Sequence, residues 1–195
     1  DGVKIKQDFV FFDKHYSGVR PLELAIEIKN KNKTVWDYDV MKQLNEVDNF
    51  LKKEYHAGFM YSPAMLCKNI NKALNDETSG EGKFPTLEEY EDVKKQLINN
   101  KKNKDLKRII TIDGKFARVS GKMTDVGSMI VNEQNKKFQE FLNTHINSND
   151  IEIKITGAAH LMDRNNEYMV SNMAQGFVFS IIIIIILTYF LHKSW

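Results

Sequence analysis

The chain of 195 residues has a single cysteine, Cys67, which excludes an internal disulfide and a cysteine-rich zinc site. It also lacks an excess of charge of one sign, since 28 lysines and arginines face 26 acids for a net charge of +2, interleaved along the whole chain. That balance makes no case for nucleic acid as a partner. The longest basic run, Lys101-Lys102-Asn103-Lys104 with Lys107-Arg108, contains no aromatic residue and reads as a solvated loop. Around Thr156-Gly157 there is no Gly-x-x-x-x-Gly-Lys spacing, so that pair ends a strand rather than cradling a phosphate. Short-period repeats and low-complexity linkers are also missing.

A further absence is local. From Asn172 to Leu191 there is no charged side chain, and the stretch contains Phe177-Val178-Phe179-Ser180, six consecutive isoleucines and Leu187-Thr188-Tyr189-Phe190-Leu191. A helix needs roughly 20 mostly apolar residues to cross a hydrocarbon core, where only intrahelical bonds can satisfy the backbone. This run is long enough, and His192, Lys193 and Trp195 follow it with the cation and aromatic expected where a helix emerges among headgroups. A buried β-branched strand is the competing reading, but strands rarely exceed about ten residues. The position at the C-terminal end is wrong for a cleaved signal peptide. About 160 residues precede the helix, enough for one domain with a normal core. A chain that starts at Asp1 and stops just after such a helix is expected to be a piece of a larger integral membrane protein.

Periodicity organises the rest. Leu22, Leu24, Ile26 and Ile28 alternate with Glu23, Ala25, Glu27 and Lys29, the period-two pattern of a half-buried strand. Trp36, Val40, Leu44, Val47 and Leu51 then recur at helical spacing up to Tyr55. Gly58 to Tyr61 reads as a short strand halted by Pro63, and Leu66, Ile70 and Leu74 as a shorter helix before an irregular stretch from Asp76 to Pro85. Thr86 and Glu89 have capping-box spacing ahead of Leu87, Tyr90, Val93 and Leu97. Ile110, Ile112, Phe116 and Val119 flank Asp113-Gly114, which predicts a hairpin. Ser128 to Ile146 carries Ile130, Phe138, Phe141 and Leu142 on one helical face, and Ile151, Ile153 and Ile155 alternate in a final strand closed by Gly157.

The order splits at a helical insertion, about residues 64–100, into two β-α-β halves, the plan of an α+β, ferredoxin-like fold. Residues 1–160 are expected to form this domain, and 161–195 a juxtamembrane and transmembrane helix. Right-handed crossovers would put both long helices on one face of a mostly antiparallel sheet. No proline or glycine interrupts Ala158 to Gln175, so a continuous helix is expected to lead into the membrane, with Gly176 as its candidate bend.

Three segments resemble the porter domain of the resistance-nodulation-division superfamily, in its MMPL or Patched-like branch. Phe9-Val10-Phe11-Phe12 followed by Tyr16-Ser17-Gly18-Val19-Arg20-Pro21-Leu22-Glu23 is similar to that family's aromatic helix, Gly-rich turn and first porter strand. Tyr61-Ser62-Pro63-Ala64-Met65-Leu66 with Ile70-Asn71 resembles the strand-to-helix junction that follows. Ile153-Lys154-Ile155-Thr156-Gly157, then Leu161 to Asn172, resembles the last porter strand and its lead into the membrane. The resemblance covers essentially the whole chain, and the Gly-Val-Arg-Pro-Leu-Glu form points to the second of two porter loops, with the helix as the eighth.

The resemblance implies a proton-driven exporter of hydrophobic or amphiphilic compounds in a bacterial cytoplasmic (inner) membrane, with residues 1–160 on its extracytoplasmic side. It names as partners the rest of the transporter chain, the lipid bilayer, the substrate and a homo-oligomer. Its motif residues here are Gly18, Arg20, Pro21, Glu23, Ser62, Pro63, Thr156 and Gly157, whose expected role is structural. Energy coupling in the family resides in charged residues of transmembrane helices, and the apolar segment here has none. A membrane-anchored sensor or ligand-binding ectodomain with one helix is the alternative, and an accessory subunit of protein translocation a third reading.

An enzyme is not expected. His160 with Asp163, the group Glu88, Glu89, Glu91 and Asp92, and Cys67 with a histidine have no diagnostic spacing. The acids open a helix, where the macrodipole favours them, and Cys67 follows Leu66 on an apolar face. No catalytic residue, cofactor or metal ligand is assigned.

Overall fold

The computed structural model describes residues 2–16, 18–75, 80, 82–100 and 104–192. It divides into two compact units, Asp1–Gly157 and Ala158–Trp195. The first contains α1 (Gly2–His15), β1 (Arg20–Ile28), α2 (Tyr38–Glu54), β2 (Met60–Tyr61), α3 (Pro63–Leu74), α4 (Leu87–Asn99), α5 (Lys104–Lys107), β3 (Phe116–Met123), α6 (Ser128–His145) and β4 (Ile151–Thr156). The second is a single long helix, α7 (Ala158–His192).

The four strands form one sheet in the order β2-β3-β1-β4, and every neighbouring pair is antiparallel. The period-two pattern of β1 has its expected consequence. Leu22, Leu24, Ile26 and Ile28 are buried, whereas Glu23, Ala25 and Glu27 face outward or lie at intermediate depth. Leu24 pairs with Val119 of β3 on one side and Ile155 of β4 on the other, so the strand's apolar side continues into both neighbours.

Two helices carry much of the cover. α2 buries Val40, Met41, Leu44, Val47 and Leu51, the stripe expected from their spacing. α6 meets it through an aromatic cluster in which Phe50 lies 5.5 Å from Phe138 and 4.5 Å from Phe141, centroid to centroid. Tyr55, at the end of α2, packs edge-on against Phe138 and donates from its hydroxyl to Asn135 Oδ1 at 2.8 Å. Burial pushes the Tyr55 phenol well above its usual range, so the donor keeps its proton. The inserted helices join the same core through Ala64, Cys67, Tyr90, Val93 and Leu97. The capping box of α4 forms as its spacing requires, with Thr86 accepting from the Glu89 amide and Glu89 accepting from the Thr86 amide.

Three local expectations need correction. The hairpin around Asp113-Gly114 has one full strand only, because Ile109 and Ile110 donate back to Leu106 in a helical turn and leave a single bridge, Ile110 to Ala117. Ile112 is accordingly 55% exposed. On α6 the inward positions are Val131 and Phe138, two turns apart, and Ile130 is 48% exposed because one residue earlier on a helix turns the side chain about 100° away. Trp36 precedes α2 rather than opening it, and its carbonyl accepts from the buried Tyr90 hydroxyl at 3.1 Å.

α7 runs unbroken through Gly176. Among the described residues it is the one helix long and apolar enough to cross a membrane. The serine and threonine hydroxyls of the uncharged run bond inside the helix, Ser180 to the Gly176 carbonyl at 2.9 Å and Thr188 to the Ile184 carbonyl at 2.8 Å. Neither asks for water or a second chain.

If the first unit holds its own core, a truncated chain ending at Gly157 gives circular dichroism of mixed helix and strand. Phe138→Ala in that chain then lowers unfolding free energy by about 3–5 kcal/mol in urea titration, the range for a large buried aromatic. A loss under about 1 kcal/mol would show that the aromatic cluster does not hold α6 to α2.

Candidate functional site

The eight motif residues singled out in the sequence fall in two places. Gly18, Arg20, Pro21, Glu23, Thr156 and Gly157 gather at one end of the sheet, because the register sets Glu23 opposite Thr156 and Arg20 opposite Met123. Gly18 has φ +90, and a Cβ there would lie 2.1 Å from the Met123 carbonyl carbon, so both backbone angle and space demand glycine. The turn is fastened by Asp13, whose Oδ1 accepts from the Val19 and Asp125 amides at 3.1 Å each. Arg20 Nη1 donates to Asp125 Oδ1 at 3.3 Å. Pro21 pairs with Lys122 but lies before β1 gains β4 as its second neighbour, where a strand tolerates a missing amide. Gly157, at φ +92, turns the chain beside the Glu23 side chain, which itself faces Arg118 at 3.6 Å. These contacts organise chain direction, and none of them forms a concave site.

Ser62 and Pro63 lie elsewhere and do more. Pro63 opens α3 with its fixed φ, and the Ser62 hydroxyl accepts from the Met65 amide at 2.9 Å as the N-cap. The same hydroxyl donates to Asp48 Oδ2. Asp48 lies on the inward face of α2, four residues after Leu44 and three before Leu51, and is only 2% exposed. Its other oxygen, Oδ1, has no hydrogen-bond partner among the described residues. Burial pushes the Asp48 carboxyl up to about 6, against the opposing pull of the Ser62 hydrogen bond and the Lys68 and Lys52 charges.

Asp48 lines a cleft of about 230 Å³ shared by α2, the approach to β2, α3 and, beyond α3, Gly80 and Gly82. Its other walls include Lys52, Phe59, Met60, Met65 and Lys68. A buried carboxyl, two ammonium groups and three apolar side chains thus converge on one concavity, the usual mark of a binding site. Sequence pattern marks Ser62 and Pro63 but passes over Asp48. The available signal was an acid standing inside the Leu44–Leu51 apolar stripe, where a charged residue is rare unless paired.

Of the side chains considered for catalysis, Glu89, Asp92 and Cys67 have structural settings. Glu89 belongs to the capping box, and Asp92 pairs with Lys95 at 2.8 Å. Cys67 is wholly buried, and burial pushes its thiol up to about 12, far from a reactive thiolate. His160 and Asp163 lie in the first turns of α7. Among the described residues no three histidine, cysteine or acidic side chains converge as a metal site.

No protein-family model matches this chain, and no curated protein matches it. The fold, the apolar helix and the cleft therefore carry the functional reading.

The raised Asp48 value fixes a sign. The folded state holds this proton more tightly than the unfolded chain does, so the contribution is present below the unfolded value and is lost as pH rises through about 6. From the usual 3.8 to about 6 the loss is at most about 3 kcal/mol. Urea titrations of wild type and Asp48→Asn at about pH 5 and about pH 8 separate this group from the others. Wild type loses stability relative to the variant on going to the higher pH. Parallel curves for the two proteins would mean that Asp48 is solvated enough to ionise freely.

Proposed function

We propose that the chain is the extracytoplasmic porter-type domain, with its following membrane helix, of a proton-driven exporter of the resistance-nodulation-division type. The observation that carries this reading is the sheet order β2-β3-β1-β4, antiparallel throughout, with α2 linking β1 to β2 and α6 linking β3 to β4. We read that order as a ferredoxin-like split β-α-β plan, in which α3, α4 and α5 would be the insertion between the halves. An apolar helix then begins one residue after Gly157. Support also comes from the Gly18 turn and Gly157, similar to the family's motifs, which the register brings to one end of the sheet.

In this reading residues 1–160 stand outside a bacterial cytoplasmic membrane, as part of a path for hydrophobic or amphiphilic compounds. Proton coupling lies in other helices of the same transporter, since the run from Asn172 to Leu191 in α7 offers no charged group. The unit performs no chemistry, and its partners are the rest of the transporter, lipid, the substrate and further copies of the chain. α7 spans about 52 Å at 1.5 Å per residue, and its unbroken course suits it to carry movement between membrane and domain. Gly176 is the position in its apolar half where a bend costs least.

The Asp48 cleft favours a second reading, a membrane-anchored sensor or ligand-binding ectodomain, because a binding concavity needs no transport path.

One measurement tests the orientation and a second separates the two readings. Alkaline phosphatase fused after Trp195 should be inactive, since the proposed orientation leaves His192 and Lys193 on the cytoplasmic side; activity there reverses the orientation. Two glycines inserted between Ser171 and Asn172 of the full-length protein should leave membrane expression normal and reduce export of an amphiphilic dye by about tenfold or more, if α7 acts as a rod. Undiminished export would make the helix a tether and favour the anchored ectodomain.

A further inference from the structure

α1 adds no side chain to the core of the first unit, although it is rich in large apolar residues. Ile5, Phe9, Phe12 and Tyr16 recur at steps of four, three and four, which at about 100° per residue places them on one side of the helix. The stripe runs through the last turn, because the Tyr16 amide donates to the Phe12 carbonyl at 2.9 Å. Its four side chains are 47–69% exposed. Lys4 and Lys6, both exposed, fall on its two flanks, and Gln7 falls opposite with the smaller Val3 and Val10. Phe11 lies off the stripe and stacks on His15 at 4.3 Å. The helix is fastened to the unit at its C-terminal end, where the Gly18 amide donates to the Asp13 carbonyl at 3.1 Å and Asp13 Oδ1 accepts from the Val19 and Asp125 amides.

What covers the stripe follows from where its helix is attached. The Gly18 turn leads into β1 at Arg20, and β4 ends at Thr156 opposite Glu23, so both chain connections leave one end of the sheet. Beyond Gly157, the 14 residues from Ala158 to Ser171 lead to the uncharged run of α7. A helix of that length measures about 21 Å and the stripe about 17 Å, so a bilayer entered by α7 is within reach of α1. Aromatic rings flanked by lysines suit the headgroup boundary, where a ring meets both acyl chain and water and a lysine stem lies on lipid with its ammonium outside. We propose that α1 lies in the headgroup region of the bilayer that α7 crosses, with Ile5, Phe9, Phe12 and Tyr16 against the acyl chains and Lys4 and Lys6 reaching back to water. The first unit thereby has an attachment to lipid besides its covalent link to α7. The inference rests on α7 crossing a bilayer and not on transport, since an anchored ectodomain would seat the same helix in the same way.

The test is spin-label depth measurement on the full chain in phosphatidylcholine nanodiscs. A nitroxide is attached to one introduced cysteine at a time, Phe9→Cys, Phe12→Cys, Gln7→Cys or Ile183→Cys, while the wholly buried Cys67 stays unlabelled. Its collisions with oxygen, which concentrates in lipid, are compared with those of a water-soluble nickel complex. Positions 9 and 12 are expected about 5–10 Å below the phosphates, the depth of an interfacial helix. Position 7 stays on the aqueous side, and position 183 reports the bilayer interior. With Phe9→Ser and Phe12→Ser together, a label at Ile5→Cys moves out from lipid to the nickel complex. All these α1 side chains are exposed, so the circular dichroism spectrum is unchanged and the shift is not one of folding. Labels at 9 and 12 that meet the nickel complex as freely as position 7, with 183 deep, overturn the proposal and leave α7 spanning. Labels at 9 and 12 shielded from both reagents overturn it in favour of a protein surface over the stripe. Exposure of 183 to the nickel complex removes the crossing helix and the proposal with it.

Discussion

Because β1 is bonded to β3 along Arg20–Glu27 and to β4 along Glu23–Ile28, every other element of the first unit takes its place from this strand. A strand with neighbours on both flanks has no free edge, so only its faces remain to be covered. Leu22, Leu24, Ile26 and Ile28 define the face that needs a core. The connections on either side of the inserted helices each contain one long helix, α2 and α6, and these meet through the Phe50, Phe138 and Phe141 rings. A one-residue slip of β1 would turn the acids of its outer face into that core. The offset between its two ladders explains the ends as well. Arg20, Pro21 and Leu22 pair on one side only, and there the chain accepts a proline and the tight turn at Gly18.

Elements with a strong period were legible in the sequence for the same reason that they fold. The alternation in β1 and β4, the helical stripe of α2 and the Thr86–Glu89 box are local patterns whose physics needs no partner to be read. What could not be read depends on distant neighbours. The first arm of the Asp113-Gly114 hairpin is a bridge because the helical turn at Leu106 claims Ile109 and Ile110, and the flanking apolar residues give no hint of it. Gly121 looked like any strand residue, yet a Cβ there would lie 2.7 Å from the Met60 side chain, so it admits β2 to the sheet. Ile130 and Val131 are adjacent and equally apolar, and only the direction of approach of α2 decides which of them is buried.

The candidate site divides in the same way. Ser62-Pro63 was readable because an N-cap followed by proline is a local signature, and its hydroxyl does cap α3. The carboxyl that shares this hydroxyl is fourteen residues earlier, on another helix, and nothing local announces the pairing. A hydroxyl that caps one helix and holds an acid of the next ties α3 to α2 through two bonds from one oxygen. That junction is also where the cleft opens, so the residues that shape the fold here are the ones available to bind.

The carboxylates of the unit answer pH in opposite senses, and the contrast distinguishes scaffold from site. Hydrogen bonds from Lys33 and Asn30 hold Asp150 below its usual range, and those from Lys154 and Lys29 hold Glu152 down to about 2. Such groups contribute stability above their unfolded values and lose it as pH falls through the folded ones, the normal behaviour of ion pairs that fasten an edge strand to a loop. Asp48 runs the other way, because its helix puts it among apolar neighbours with only one hydrogen bond for two oxygens. An acid retained there costs the fold stability at neutral pH, where an asparagine or a leucine would not. Groups that run against the rest of a fold concentrate where a protein binds or switches. The end of the sheet at Gly18 and Gly157 has strict backbone demands and two amides answered by Asp13, whereas the Asp48 cleft, which has strict positions of its own at Gly80 and Gly82, holds one oxygen with no partner among the described residues. The first arrangement serves chain direction, and the second leaves a place that a ligand can complete.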